Sequence, residues 1–233
     1  MVDQLHYYNE VGNRFRDDIL NSPDPSLFTS DMTVNGPIFR QMRERIDHQR
    51  NYILKYFSVD KPVLDLGCGF GRQSFICAKL GFKVIGIDCS SIFIDIARAV
   101  FQKHGLEGHF ICDSIFNFFP NSKFDQVLLL DVFEHVKPLQ RKRLLRHIGR
   151  NIITENGKMP ISFPAIGQRG TKDRLIYFIK SVSPVLKNTN QEHPYPIPSK
   201  RELQSKSKHI FGIHDWKIRS GTVFCLLARG LKT

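Results

Sequence analysis

Three glycines and one acid lie between an apolar pentapeptide and an amphipathic stretch, in the sequence Asp65-Leu-Gly-Cys-Gly-Phe-Gly71. Glycine at positions 67, 69 and 71 allows the backbone to approach a ligand where a Cβ atom would collide. The spacing is G-x-G-x-G rather than the G-x-G-x-x-G of pyrophosphate binders, and the carboxylate of Asp65 would repel a diphosphate. The pattern therefore favours a ligand with a cationic amino group, although the glycines alone also suit a tight strand-to-helix turn.

Two further acids follow the next two predicted strands. Asp88 lies 17 residues after Gly71, near the offset at which nucleotide-binding α/β folds place an acid against ribose hydroxyls. Asp113, with Ser114 beside it, is positioned to accept a hydrogen bond from an adenine amino group. The alternatives are that Asp88 caps the following helix and that Asp113 is a solvated loop acid.

Apolar runs alternate with amphipathic stretches through most of the chain, which predicts a parallel sheet covered by helices on both faces. Ligands of such sheets bind at the carboxyl ends of the strands. The predicted strands are 62–66, 83–88, 109–112, 125–130, 158–163, 213–219 and 222–228. The predicted helices are 5–20, 38–57, 72–80, 90–102, 138–151 and 199–209, with turns at 156–158 and 220–222.

The length of 233 residues suits one domain over 1–233, with a helical segment over 1–58 before the first strand. Residues 165–195 depart from the alternating pattern and combine apolar and basic residues. We expect this insertion to form a lid over a substrate pocket or to contact a membrane surface. No apolar run reaches the length of a transmembrane helix, and the N-terminus lacks signal-peptide features, so a cytoplasmic protein is expected.

The positive charge is concentrated in the C-terminal part. The net charge is +12, yet residues 1–136 carry 14 Lys and Arg against 17 Asp and Glu, a balance of −3. Residues 137–233 carry 20 against 5, a balance of +15. This asymmetry suggests an anionic partner, either a small anionic substrate, an anionic membrane surface or nucleic acid; the alternative is a generic basic surface. The five cysteines contain no C-x-x-C pair and no zinc-ligand spacing, so neither a metal site nor a disulfide framework is predicted.

Four segments in order, VLDLGCGFG, VIGIDCS, CDSIF and DQVLLLDVFEHV, resemble the successive cofactor motifs of class I S-adenosylmethionine-dependent methyltransferases. The later segments resemble the small-molecule branch that includes ubiquinone-type O-methyltransferases. The resemblance implies an α/β, Rossmann-like, doubly wound sheet of seven strands, mostly parallel with an antiparallel last strand. It also implies S-adenosylmethionine as the cofactor, whose ammonium suits an acid before the glycines.

By the same resemblance, Asp131 begins the loop beneath the methionine moiety, and Glu134-His135 lies close to the methyl group. Tyr8 belongs to an N-terminal aromatic segment that closes over the cofactor. His135 and His193 are candidate bases, because an imidazole titrates near neutral pH; the alternatives are a structural and a loop histidine. The predicted cofactor-binding residues are Asp65, Gly67, Cys68, Gly69, Gly71, Asp88, Cys89, Asp113, Ser114, Asp131 and Tyr8.

The motifs that are missing narrow the reaction. Asp131-Val-Phe-Glu134 does not resemble the Asn-Pro-Pro-Tyr loop of adenine N-methylation, and no Pro-Cys pair offers the nucleophile of cytosine C5 methylation. The sequence therefore favours methylation of a small-molecule acceptor, first of all O-methylation of an anionic or lipid-like one. The alternatives are an RNA methyltransferase that holds phosphates with its basic C-terminal part, and a non-catalytic cofactor-binding module.

Overall fold

A computed structural model describes residues 4–28, 37–165, 195, 197–219 and 221–229. Seven strands form one sheet in the order β3-β2-β1-β4-β5-β7-β6. Neighbouring strands pair in parallel from β3 to β5, whereas β7 runs antiparallel to both β5 and β6. The predicted topology is therefore confirmed. The strands are β1 Val63–Leu66, β2 Val84–Asp88, β3 His109–Cys112, β4 Phe124–Leu130, β5 Ile153–Pro164, β6 Gly212–Arg219 and β7 Thr222–Ala228.

Helices connect β1 to β2, β2 to β3 and β4 to β5, and two helices precede the sheet. The loop after β2 enters its helix through Ser90, whose hydroxyl accepts a hydrogen bond from the Phe93 amide, as expected for an N-cap. No helix in these ranges is long and apolar enough to cross a membrane. The helices are α1 Gln4–Asn21, α2 Pro37–Tyr56, α3 Arg72–Lys79, α4 Ser91–Lys103, α5 Pro138–His147 and α6 Lys200–Ser207.

The central strands are buried on both faces, as their nearly continuous apolar sequence predicts. Every side chain of β1 is buried, and Val127, Leu128 and Leu129 of β4 are fully buried. One face of the sheet packs against α5 and α6, with Leu144 and Leu203 in the shared core. The ends of adjacent parallel strands are consequently held in fixed positions beneath the loops that follow them.

Some local predictions were wrong. Residues 156–158, predicted as a turn, lie inside β5, where Phe124 and Gln126 of β4 face Ile153 and Lys158. The intervening residues of β5 are accommodated as a bulge, so a turn-like sequence interrupts the strand without ending it. The predicted helix 138–151 is α-helical only to His147 and continues as a π-helical segment over Ile148–Ile152.

The basic side of α5 is not wholly solvated, because Arg141 is completely buried. Its guanidinium donates to Glu202 of α6 at 3.0 Å and to the carbonyl of Val136 at 3.0 Å. Leu139 of the same helix is 94% exposed. The buried face of α5 therefore includes an arginine, and its solvent face includes a leucine.

Candidate functional site

The glycine loop leaves β1 in a conformation that requires glycine. Gly67, Gly69 and Gly71 have φ values of 73°, 53° and 85°. A Cβ atom on Gly67 would lie 2.5 Å from the Cγ2 atom of Val132, which follows β4. A Cβ atom on Gly69 would meet only Phe93, at 4.0 Å, so one side of the loop is open. The loop thus packs closely on the β4 end while presenting backbone to a ligand.

Two buried or half-buried carboxylates, Asp65 and Asp88, lie next to the glycine loop. Asp65 is buried and accepts a hydrogen bond from the Ser74 hydroxyl at 2.7 Å. Burial raises the pKa of Asp65 to about 6 despite that bond. Asp88 accepts from the Gly69 amide at 2.9 Å and from the Ser90 amide at 2.9 Å. Burial also raises the pKa of Asp88, against the effect of its backbone amide partners.

The remaining predicted residues of this half lie at the ends of β1, β2 and β3. Asp113 accepts from the Ser114 amide at 2.7 Å, and its own amide donates to the Asp88 carbonyl at 3.0 Å. Asp113 and Ser114 are half-buried. The Cys68 side chain is buried below the loop, whereas Cys89 is exposed. The structure therefore brings these residues to one edge of the sheet, with Cys89 on the outer side.

Asp131, directly after β4, has a φ of 58°, a left-handed conformation that is uncommon for a residue with a side chain. Its carboxylate forms an ion pair with Arg45 and accepts from Gln49 at 2.9 Å and Ser162 at 2.9 Å. Burial opposes ionisation, but Arg45 and the hydrogen bonds outweigh it and lower the pKa of Asp131. A second buried glutamine, Gln73, donates to Gln49 at 3.1 Å.

A phenol and an imidazole meet beside this network. The Tyr8 hydroxyl oxygen lies 2.9 Å from Nδ1 of His135, and the two rings form an edge contact with centroids 5.5 Å apart. Glu134 is buried, and its Oε2 atom has no hydrogen-bond partner in the ranges that the structure covers. Burial, reinforced by the charge of Asp131, raises the pKa of Glu134 well above its usual value. Tyr8, Glu134 and His135 thus form a polar group at the β4 end.

Helix α1 spans the glycine loop between the ends of β2 and β4. The Ser90 hydroxyl donates to Asn9 at 2.7 Å, and the Tyr8 ring packs on Phe93 with centroids 6.0 Å apart. Since β1 lies between β2 and β4, a helix that touches both flanks crosses above the loop. The glycine loop therefore lies beneath α1, between the contacts of Tyr8 with Phe93 and with His135. His193 and the insertion 165–195, apart from Ala165 and Tyr195, lie outside the described residues.

Sequence reasoning missed the contribution of α2. Arg45 and Gln49 are four residues apart, and Gln49 is only 1% exposed although α2 is rich in polar residues. Polar side chains at i and i+4 next to the apolar position Ile46 are a usable signal for a helix face that carries a buried network. That signal does not identify the partner, because Asp131 lies 82 residues from Gln49 in the sequence.

Comparison with known proteins gives a consistent result. A family model described as a methyltransferase domain matches residues 63–154. Ubiquinone biosynthesis O-methyltransferase of Rickettsia prowazekii is 33% identical over 116 residues, which are 46% of this chain and 46% of that protein. The Bradyrhizobium diazoefficiens protein of the same name is 38% identical over 74 residues, 32% of this chain and 29% of that protein. These matches span less than half of either curated relative.

Solved structures share the fold over nearly the whole chain. Magnesium protoporphyrin IX methyltransferase from Synechocystis PCC 6803 with bound SAH superposes with a TM-score of 0.67, 16% identity and 97% coverage of both chains. The N-methyltransferase NodS from Bradyrhizobium japonicum WM9, in complex with S-adenosyl-L-homocysteine, gives a TM-score of 0.62 at 12% identity. Its match covers 94% of this chain and 98% of the other. At these identities the likeness establishes the fold.

Removing the charge of Arg45 should destabilise the protein most at neutral pH. The lowered pKa of Asp131 contributes stability that is present above its unfolded value near 3.8 and is lost as the pH falls. Arg45→Met leaves this carboxylate buried without its cation, so we expect a loss of about 2–3 kcal/mol at pH 7. Urea unfolding measures it, with exposed Arg43→Met as the control. A loss that stays constant as the pH is lowered below 3.8 would contradict the assignment.

Proposed function

Since this chain carries a class I S-adenosylmethionine-dependent methyltransferase domain, we propose that it transfers a methyl group from S-adenosylmethionine to a small-molecule acceptor. We further propose O-methylation of an anionic or lipid-like acceptor. The names of the curated relatives, ubiquinone biosynthesis O-methyltransferases, support the lipid-like class. The basic C-terminal part of the chain supports the anionic class.

The observation that carries the cofactor assignment is the open side of Gly69 next to two carboxylates of raised pKa. In the described part of the chain the buried Asp65, of pKa about 6, has no ion-pair partner, and an ammonium group would supply one. Asp88 holds the loop through one lone pair of each oxygen, which leaves acceptor capacity for ribose hydroxyls. The residues present therefore fit an aminoacyl nucleoside better than a diphosphate.

In this proposal the other residues contact different parts of the cofactor. Asp113 and Ser114 lie beside the end of β2, within the reach expected of an adenine amino group. Arg45 is the cation at the β4 end, and it would exchange part of its pairing with Asp131 for the cofactor carboxylate. Helix α1 packs over the loop through Tyr8, and this cover would exclude water from the centre of the site once the cofactor is bound.

Bound S-adenosylmethionine supplies a methyl carbon that is activated by the adjacent sulfonium, so the protein's task is alignment and proton removal. His135 lies at the β4 end, where the acceptor hydroxyl would approach, and its ring is held by the Tyr8 hydroxyl. We propose that His135 would accept the proton of the acceptor hydroxyl, with S-adenosylhomocysteine as the leaving group of the transfer. Tyr8 fixes the ring orientation, and His193 stays a proposed second base.

The purified protein should bind S-adenosylmethionine and S-adenosylhomocysteine, as measured by titration calorimetry. Asp88→Ala removes the proposed acceptor of the ribose hydroxyls. A hydrogen bond to a charged group contributes about 1.5–3 kcal/mol, so we expect binding to be about ten- to a hundredfold weaker. Asp95→Ala, an exposed acid on α4, is the control and should leave the dissociation constant unchanged. Binding of NAD in place of both ligands would refute the proposal, and an unchanged Asp88→Ala constant would leave Asp88 a capping residue.

Cofactor affinity should rise with pH through the pKa of Asp65. Because this pKa is about 6 in the free protein, the carboxyl is mostly protonated at pH 5 and mostly ionised at pH 7.5. An ammonium binds the ionised form, so affinity at pH 5 should be about tenfold lower. Asp65→Asn should bind more weakly and lose this part of the pH dependence. Equal slopes in both proteins would exclude the contact between Asp65 and the ammonium.

His135→Gln should lower kcat by about a hundredfold or more without changing cofactor affinity, because it removes the proposed base. Turnover is measured as the formation of S-adenosylhomocysteine from S-adenosylmethionine in the presence of each acceptor in a panel of phenols, catechols and carboxylic acids. Tyr8→Phe should lower kcat less, since it keeps the ring contacts and loses only the hydroxyl next to His135. The control is His109→Gln, on the exposed side of β3. A full kcat in His135→Gln would exclude this base.

A further inference from the structure

The solvent face of α5 and the segment after it carries four cations in one row, which we call the basic stripe. They lie at positions i, i+1, i+4 and i+8, spacing that places them on one side of a helix. Together with Leu139, His147 and Asn151 they line an open pocket of about 450 Å³. The basic stripe consists of Lys142, Arg143, Arg146 and Arg150, all exposed.

The charge of the basic stripe is not neutralised within the described part of the chain. Residues 137–152 contain no Asp or Glu. The described part of the chain shows no ion pair for Lys142, Arg146 or Arg150. The guanidinium of Arg143 lies 5.5 Å from the centroid of the Phe116 ring. Like charges at helical spacing repel one another, so the helix bears a cost that an anionic partner would relieve.

Two large apolar side chains accompany these cations. Leu139 is 94% exposed and Phe119 is 65% exposed, more than the other exposed large hydrophobic residues of the described chain. Phe119 contacts His147 of the same face, with ring centroids 4.8 Å apart. Leu139 precedes Arg143 by four residues, one helical turn. Apolar tips and unpaired cations are therefore combined on a single surface.

We propose that this surface docks on an anionic membrane, with lipid phosphates between the cations and with Leu139 and Phe119 at the acyl boundary. Basic residues next to a membrane each contribute about 1 kcal/mol, and inserted apolar side chains add area-dependent affinity. A single-stranded nucleic acid is the less suitable partner, because Leu139, the more exposed of the two apolar side chains, neither stacks on bases nor reads them, and the Phe119 ring is engaged in its contact with His147. The observations therefore favour a lipid surface.

The position of α5 connects this surface to the site. Pro138 begins α5 three residues after His135, so the Leu139 end of the surface adjoins the end of β4, whereas the cations follow α5 toward the start of β5 at Ile153. A lipid-like acceptor would reach His135 from the Leu139 end of the surface. This connection rests on the proposed function, whereas the docking itself depends only on the residues of α5 and Phe119.

The test is sedimentation with vesicles of phosphatidylcholine alone and of phosphatidylcholine mixed with phosphatidylglycerol. We expect binding to the anionic vesicles only, released by added salt. Lys142→Gln/Arg146→Gln/Arg150→Gln should weaken partitioning about tenfold or more. The matched control, Arg16→Gln/Lys83→Gln/Lys208→Gln, removes three exposed cations elsewhere and should weaken it less than threefold. Leu139→Ser should weaken it further, whereas Leu54→Ser, also an exposed leucine, should not.

Several outcomes would overturn the proposal. They are absent vesicle binding, equal loss in the two triple variants, and binding of single-stranded RNA that is tighter than vesicle binding and lost in the stripe variant. Thermal unfolding of every variant shows that the change is not a folding defect. The docking is separate from the proposed activity, since S-adenosylhomocysteine affinity should be unchanged in the stripe variant. If the unmodified protein does not bind S-adenosylmethionine or S-adenosylhomocysteine, the proposed function is refuted and the docking result still stands.

Discussion

The ion pair between Arg45 and Asp131 is the interaction on which the candidate site depends most. Asp131 stands after β4 in a left-handed conformation, and its carboxylate joins a helix that precedes the sheet to two central strands. Without the cation, burial would favour the neutral acid and weaken the contact to α2. The site is thus assembled by electrostatics between segments that are distant in sequence, on top of a sheet assembled by apolar burial.

Most of the fold was predictable from the sequence because parallel strands buried on both faces give continuous apolar runs. Such runs fixed β4 to within one residue at its start and reproduced β7 fully. The course of β5 was not predictable, because Asn156 and Gly157 have turn propensity while β7 supplies partners for the strand beyond them. Tertiary pairing thus overrode a local preference.

The candidate site was predictable where its residues follow strands directly. The glycine loop, Asp88 and Asp113 were found this way, because the carboxyl ends of parallel strands share one edge. Arg45 and Arg141 were not found, since a basic residue on an amphipathic helix is usually solvated. Each of these arginines pairs with a carboxylate that is distant in sequence. Local sequence does not indicate which element packs against a given turn of a helix.

The position of α1 has a kinetic consequence. Tyr8 touches Phe93 on one flank and His135 on the other, so a ligand seated on the glycine loop lies beneath a helix. Release of such a ligand would require α1 to separate from α4 and the hydrogen bond between Tyr8 and His135 to open. The opening rate of an N-terminal helix, and not only the contacts of the ligand, would then contribute to the residence time.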